Sequence, residues 1–308
     1  MKTVLKIAAA ALAVIVIALG GIVADASLRI ATEEVLAPDD GAPGRFVTVD
    51  GHKLHVATIG DPASDASGAP LLLIHGFGIQ GHAAWLPWAS KLAGSRSLIM
   101  PDMLGFGHSA RVTAPGPHYT AVQQAAALAD MLDVLGVAQV DVVGHALGGA
   151  VAAQFAIDHP ARVRRIVFMD AAVYSRPRHA RAGIAAIDRI LVWRSRTGGP
   201  LSAPAKFCGP QPNCRWLRLA RVQGSTDALL AMDETARESK DSPLQVARIA
   251  APSLVIWGGN DTTIPVADGD RLARELKTTL SVIADAGPAP YADQPDKVAR
   301  RVLEFLQP

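Results

Sequence analysis

Five short apolar runs, each breaking into a turn built on glycine or aspartate, constrain the fold of this chain more than any other feature. Leu71–Ile74 leads into His75-Gly76-Phe77-Gly78, and Ser97–Met100 into Pro101-Asp102 and Gly105-Phe106-Gly107. Val140–Val143 leads into Gly144-His145-Ala146-Leu147-Gly148-Gly149, Ile166–Met169 into Asp170, and Ser253–Trp257 into Gly258-Gly259-Asn260-Asp261. Apolar at nearly every position and rich in β-branched residues, these segments read as strands buried on both faces. Thr279–Ile283 is a sixth such run, and Arg45–Asp50 and Lys53–Thr58 flank a hairpin signal at Gly51-His52. Helical stretches such as Ala121–Leu135 and Ala150–Asp158 lie between the runs. The alternation predicts an α/β fold: a mostly parallel sheet of eight strands with helices on both faces. Ligand chemistry in such a sheet collects at the carboxyl ends of the strands, where the glycine and aspartate turns fall.

A chain of 308 residues, half of them apolar and 19% charged, is long enough for one large domain with an insert and excludes a disordered or collagen-like polymer. Residues 172–250 lack the strand–helix rhythm and read as an inserted, mainly helical cap. The core then falls into two parts, 46–171 and 251–308. Residues 27–45, with Pro38, Gly41, Pro43 and Gly44, read as a linker. Ahead of it, Ile7 to Ala24 runs 18 residues without a charge, about 27 Å as a helix and close to the thickness of a bilayer core. Lys2 and Lys6 before it place the N-terminus in the cytoplasm and the body outside. Residues 1–26 are therefore a signal anchor or a signal peptide. The length of the run favours an uncleaved inner-membrane anchor, and Ala24-Asp25-Ala26 has the form of a cleavage site that would release a secreted protein.

Gly144-His145-Ala146-Leu147-Gly148-Gly149 stands between a strand and a helix of small residues. A sharp strand-to-helix turn needs glycine two before and two after its strained central residue, which is the frame of a G-x-S-x-G nucleophile elbow. With this frame, the chain from about residue 45 to 308 resembles the α/β-hydrolase superfamily, of the esterase and epoxide-hydrolase type. His75-Gly76-Phe77-Gly78 is similar to the oxyanion-loop motif, and Asp102 to Ser109 to the turn after the fourth strand. Trp257-Gly258-Gly259-Asn260-Asp261 is similar to the segment that carries the catalytic acid. Gly287-Pro288-Ala289-Pro290 aligns with the Gly-His-x-Pro turn that carries the catalytic histidine. The resemblance implies backbone oxyanion donors at Phe77 and Leu147.

Two positions depart from that pattern. Acyl transfer needs a hydroxyl to attack and an imidazole to take its proton. Ala146 offers a methyl group at the nucleophile position, and Pro288 has no titratable atom at the histidine position. Asp261 alone holds its expected place, as a remnant acid or as a carboxylate satisfied by loop N–H groups. In a subtilisin-type enzyme, losing the nucleophile or the base costs on the order of 10⁶ in kcat. Two losses in separate loops point to natural relaxation of the triad rather than a single inactivating change. The expectation is a non-catalytic protein that binds a small molecule, a lipid or a partner. The alternative is hydrolysis of ester-like bonds, or other chemistry, through a non-standard group. Among the histidines, His145 is expected to point away from the elbow centre and His75 to be structural, while His82 and His179 are placed by nothing in the sequence. No His, Cys, Asp or Glu cluster has metal-ligand spacing, so neither a metal nor a cofactor is expected.

The formal net charge of +2 hides a split. Between Tyr174 and Arg221 stand ten basic residues against the single acid Asp188, a local +9, and the core is correspondingly acidic. A basic lid of this kind attracts an anionic membrane surface or ligand, with Trp193 and Trp216 able to seat it at the interface. The alternative is a solvated lid whose arginines pair with the acidic body. Nucleic acid is not an expected partner of an exported body. Cys208 and Cys214 bracket a Gly/Pro turn and are candidates for a disulfide in an oxidising compartment.

Overall fold

The computed structural model describes residues 2–64, 69–78, 80–114, 116–174, 188–192, 215–238 and 244–307. Eight strands form one sheet: β1 (Arg45–Val49), β2 (His52–Ile59), β3 (Leu71–Ile74), β4 (Leu98–Pro101), β5 (Val140–His145), β6 (Val163–Met169), β7 (Ser253–Gly258) and β8 (Leu280–Ile283). Their order is β1-β2-β4-β3-β5-β6-β7-β8, with β1/β2 and β2/β4 antiparallel and all other pairs parallel. This is the sheet the apolar runs predict. The hairpin turn differs by one residue: Val49 pairs with His52, so Asp50-Gly51 form the loop, both at positive φ as a tight hairpin turn requires.

Helices α2 (Leu86–Leu92), α3 (Ala121–Val134) and α4 (Leu147–Asp158) precede the insert. The insert contributes a short helical piece at residues 188–192, α5 (Arg215–Ala220) and α6 (Ser225–Glu238). The chain closes with α7 (Val266–Glu275), α8 (Pro290–Asp293) and α9 (Pro295–Leu306). Leu128, Phe155 and Leu272 from α3, α4 and α7 belong to a core on one side of the sheet. Trp88, Val298 and Val302 from α2 and α9 build the other. β3 and β4, central in the order, are buried at every residue, which is why their sequences are uniformly apolar.

At the N-terminus a single helix, α1, runs from Lys2 to Glu33, well beyond the expected boundary at residue 26. Its apolar part is long enough to cross a membrane, and Leu12, Val14, Ile15, Val16 and Ile17 are exposed. Its last turns are different. Ala26 and Ile30 are buried, and with Glu34 they recur at the spacing that puts them on one helical face. Glu34 just beyond the helix is buried too, and its carboxylate accepts from the backbone N–H and hydroxyl of Thr226 at the start of α6.

Residues 34–43 continue as a strap. Leu36 bridges Val222 in a parallel pair, and Arg218 meets Asp40 at 3.0 Å. His108 donates from Nδ1 to the Pro38 carbonyl at 2.7 Å, and His55 reaches the Pro43 carbonyl through Nε2. The expected linker is therefore fastened to both the insert and the core. Glu34→Ala deletes a buried charged acceptor and leaves the Thr226 donors at the α6 N-terminus without it, a loss of about 1–3 kcal/mol. The full chain in detergent should show a lower Tm and faster proteolysis within α6. An unchanged Tm with unchanged cleavage would show that the strap contributes nothing there.

Candidate functional site

β5 ends at His145 and α4 starts at Leu147, leaving Ala146 to make the whole turn at φ 47° and ψ −115°. That conformation is strained for any residue with a Cβ, and three hydrogen bonds hold it. Ala146 donates to the Met169 carbonyl at 3.0 Å, and its own carbonyl accepts from Gly149 and Ala172, both at 2.9 Å. The flanking glycines are steric requirements. A Cβ on Gly148 would stand 2.2 Å from the Ile74 carbonyl oxygen, and one on Gly144 would stand 2.6 Å from the Gly148 oxygen. The elbow predicted from the sequence is present, with a methyl group at its centre.

Above the elbow lies a cavity of about 480 Å³. Phe77, His145, Ala146, Leu147 and Pro288 line it from the strand ends, and Met232, Thr235 and Ala236 from α6. Phe77 packs edge-on against Phe106 at 5.4 Å. Four residues singled out in the sequence are thus brought together: Ala146, Pro288, Phe77 and Leu147. Asp261 is not on the cavity wall. Its Oδ1 accepts from the N–H groups of Thr263 at 2.6 Å and Ile264 at 3.0 Å, the loop-satisfied arrangement. Cys208, Cys214, His179, Trp193 and most of the arginines of the basic stretch lie outside the described residues. Arg189 pairs with Asp227, Arg218 with Asp40 and Arg221 with the Glu33 carbonyl.

Known proteins share this architecture. Residues 69–191 match the model of a family described as the alpha/beta hydrolase fold. A 2-hydroxy-6-oxo-2,4-heptadienoate hydrolase of Pseudomonas putida is 30% identical over 292 residues, covering 85% of this chain and 96% of that one. The chain belongs to the α/β-hydrolase family. A 2-hydroxymuconate semialdehyde hydrolase of Pseudomonas putida is 37% identical over 292 residues, covering 85% of this chain and 94% of that one. Among solved structures, a membrane phospholipase A described as a bacterial virulence factor aligns with a TM-score of 0.66 and 25% identity. That alignment covers 99% of this chain and 98% of the other.

His145 keeps to the face of Val143: its ring packs against Tyr291 at 5.1 Å and Trp85 at 6.1 Å, in the core on the other side of the sheet from the one Ala146 packs against, and Nε2 donates to the Pro288 carbonyl at 2.8 Å. One imidazole of this α/β-hydrolase-fold chain therefore joins the elbow to the Pro288 loop. A carbonyl can only accept, so Nε2 carries the hydrogen. Burial pushes the ring pKa down, so the ring is neutral at pH 7. His75 is structural: burial lowers its pKa to about 4, Nδ1 donates to Gly76, and Nε2 accepts from Met103 N–H at 3.0 Å. His82 does not lean over the cavity, because its Nδ1 pairs with Asp102. Burial alone would raise the Asp102 carboxyl, but hydrogen bonds from His55 and His82 hold it far below the usual carboxylate range.

Asp170, noted in the sequence only as the end of a strand run, is the other residue that reading left without a role. It follows β6 at φ 44°, is 1% exposed, and accepts from Gly258 N–H at 2.8 Å. Its Oδ2 and that of Asp261 are both buried with no hydrogen-bond partner among the described residues. Burial pushes the Asp170 carboxyl up to about 8, and the negative charge of Asp261 and then Asp293 adds to the shift. In the unfolded chain it titrates near 4. The folded state therefore holds this proton more tightly, and stability is full below that value and lost as pH rises toward 8. Unfolding free energy should fall across that window by up to ~1.4 kcal/mol per pH unit. Asp170→Asn should flatten the slope, measured by denaturant unfolding at a series of pH values; an equal slope in both proteins would remove Asp170 as its source.

Proposed function

We propose that this α/β-hydrolase-fold protein is a non-catalytic binder of an apolar small molecule or lipid, held at the cell envelope by α1 with its body outside the cytoplasm. The observation that carries the reading is the hydrogen bond from His145 to the Pro288 carbonyl, across a site whose two reacting positions hold a methyl group and a proline ring. That bond commits Nε2, and no hydroxyl stands at Ala146 for the imidazole to activate. What remains is a mostly apolar cavity with a few polar groups, the form of a ligand pocket. The apolar, exposed stretch of α1 supports the envelope placement. So does the likeness along nearly the whole chain to a protein named a membrane phospholipase A. An anionic membrane surface as partner rests on the charge of the basic stretch.

A second reading, hydrolysis of ester-like bonds through another group, is favoured by relatives that are named hydrolases. Two measurements separate them. The full chain should bind cis-parinaric acid, an apolar chain with one polar end, saturably. Ala236→Trp, which fills the cavity from α6, should weaken that binding at least about tenfold, or ~1.4 kcal/mol. The wild-type chain should hydrolyse no p-nitrophenyl ester above background and should take no label from a serine-reactive phosphonate. Ala146→Ser with Pro288→His should gain both properties, while neither single variant does. Turnover by the wild-type protein that survives removal of contaminating esterase would defeat the binding reading.

A further inference from the structure

The folded body meets α1 lower on the helix than a spanning segment requires. Ile7 to Ala24 is uncharged and bracketed by Lys6 and Asp25, about 27 Å of helix against a hydrocarbon core of about 30 Å. The run fills that core with no length to spare, and sliding it outward would carry apolar side chains into water. Contact with the body begins where the run ends: Val23 is half-buried, and Ala26 and Ile30 are buried. A lone helix leaves such side chains open to solvent, so the body covers them.

Depth along the helix is the informative quantity. Ala26 lies about 3 Å beyond Ala24 and Ile30 about 9 Å beyond it, at ~1.5 Å per residue. The headgroup layer on one side of a bilayer is about 5–8 Å thick, half the difference between a total of ~40–45 Å and the core. The part of the body that packs on Ala26 therefore stands inside that layer. The face of α1 turned away from the body suits the same surroundings. Leu28 is 64% exposed, and beside it Arg29 keeps an exposed side chain whose Nε meets Asp25 at 2.8 Å. A headgroup layer takes the leucine toward its acyl chains and the guanidinium toward its phosphates.

Resting on the reading of α1 as an envelope anchor, we propose that the body is seated in the headgroup layer of the leaflet it faces, along the edge where α1, the strap and the α5–α6 junction meet. The partner of this surface is bilayer phospholipid. That edge is tied to the helix end: Arg221 donates to the Glu33 carbonyl, Leu36 bridges Val222, and Thr226 donates to Glu34. α1 is helical through Glu33, so the apolar run and these contacts keep one spacing. The exposed arginines here are paired, Arg29 with Asp25 and Arg218 with Asp40, which balances the local charge. Depth sets the contact rather than attraction, so it forms on net-neutral phosphatidylcholine as well as on anionic lipid.

The test uses the full chain in phosphatidylcholine vesicles carrying one of two photoreactive phospholipids, with adducts mapped by mass spectrometry. A diazirine in the acyl chain should label residues 12–17 of α1, which reports that the helix spans. An aryl azide on the headgroup should label Leu28 and body peptides at the α5–α6 junction, and should leave Asp158, at the far end of α4, unlabelled. Seven polar, helix-forming residues inserted between Ala24 and Asp25 lengthen α1 by about 10.5 Å and nearly keep its face. That shift exceeds the thickness of the layer, so headgroup labelling of the body should fall at least about fivefold, with acyl-chain labelling and Tm unchanged. The same residues inserted ahead of Ile7 should leave the pattern as it is. The proposal is overturned if α1 takes the acyl-chain label while the body takes no headgroup label, or if body labelling is as strong in the lengthened chain. No acyl-chain label on α1 would remove the envelope reading, and this proposal with it. Should the lengthened chain not fold, the wild-type labelling alone decides.

Discussion

The close approach of β5, α4 and β3 is the constraint on which the rest of the site depends. Gly144, Gly148 and Gly149 let the two strands and the helix meet at distances where any Cβ would overlap backbone. That packing throws Ala146 into its strained turn and aims its side chain at the cavity. None of this requires a nucleophile. The backbone geometry is held by the Met169 and Ala172 hydrogen bonds and by glycine sterics, and none of these involves the Ala146 side chain. A chain can lose the reacting atom and keep the scaffold, because the two are specified by different residues.

Much of the fold was legible because its causes are local. A strand buried on both faces is apolar throughout, and β3 and β4 say so residue by residue, while β5 carries a buried Asp141 that pairs with Arg96 and Arg164. Elbow glycines are readable because no other residue fits. The site residues named from the motifs, Ala146, Pro288, Phe77 and Leu147, do meet around one cavity. What was not legible depends on side-chain direction and on partners distant in sequence. His145 turns to the other face of the sheet from Ala146, and its ring there reaches a carbonyl 143 residues later. Nothing in its neighbours encodes that loop's position. The same holds for Glu34 and Thr226, and for the seven residues by which α1 runs past the expected boundary at residue 26: that end of the helix is stabilised by tertiary contacts that periodicity does not report.

The acids behind the cavity form a buried carboxyl pair. Asp261 and Asp170 each bring a buried carboxyl oxygen to the same neighbourhood, without a hydrogen-bond partner for it among the described residues. Two such groups cannot both ionise cheaply at short range, so one keeps its proton. Asp170 is the one whose carboxyl is pushed up to about 8, so its proton stays, while Asp261 Oδ1 accepts from two backbone N–H groups. The carboxyl pair is thus an electrostatic residue of the fold itself, independent of any turnover.

The strap has a mechanical consequence. A tethered domain on a flexible linker samples every orientation above a membrane and meets its surface by chance. Here α1 runs without a break into contacts with α6 and the core, so no swivel exists between the rod and the body. With α1 inserted as proposed, the body keeps one latitude relative to the bilayer and rotates only about the axis of the rod. The same helix that receives Glu34 at its first turn presents Met232 and Ala236 to the cavity two turns later. On that proposal the mouth of the pocket rides at a set height above the bilayer, and depth would sort what reaches it before shape does.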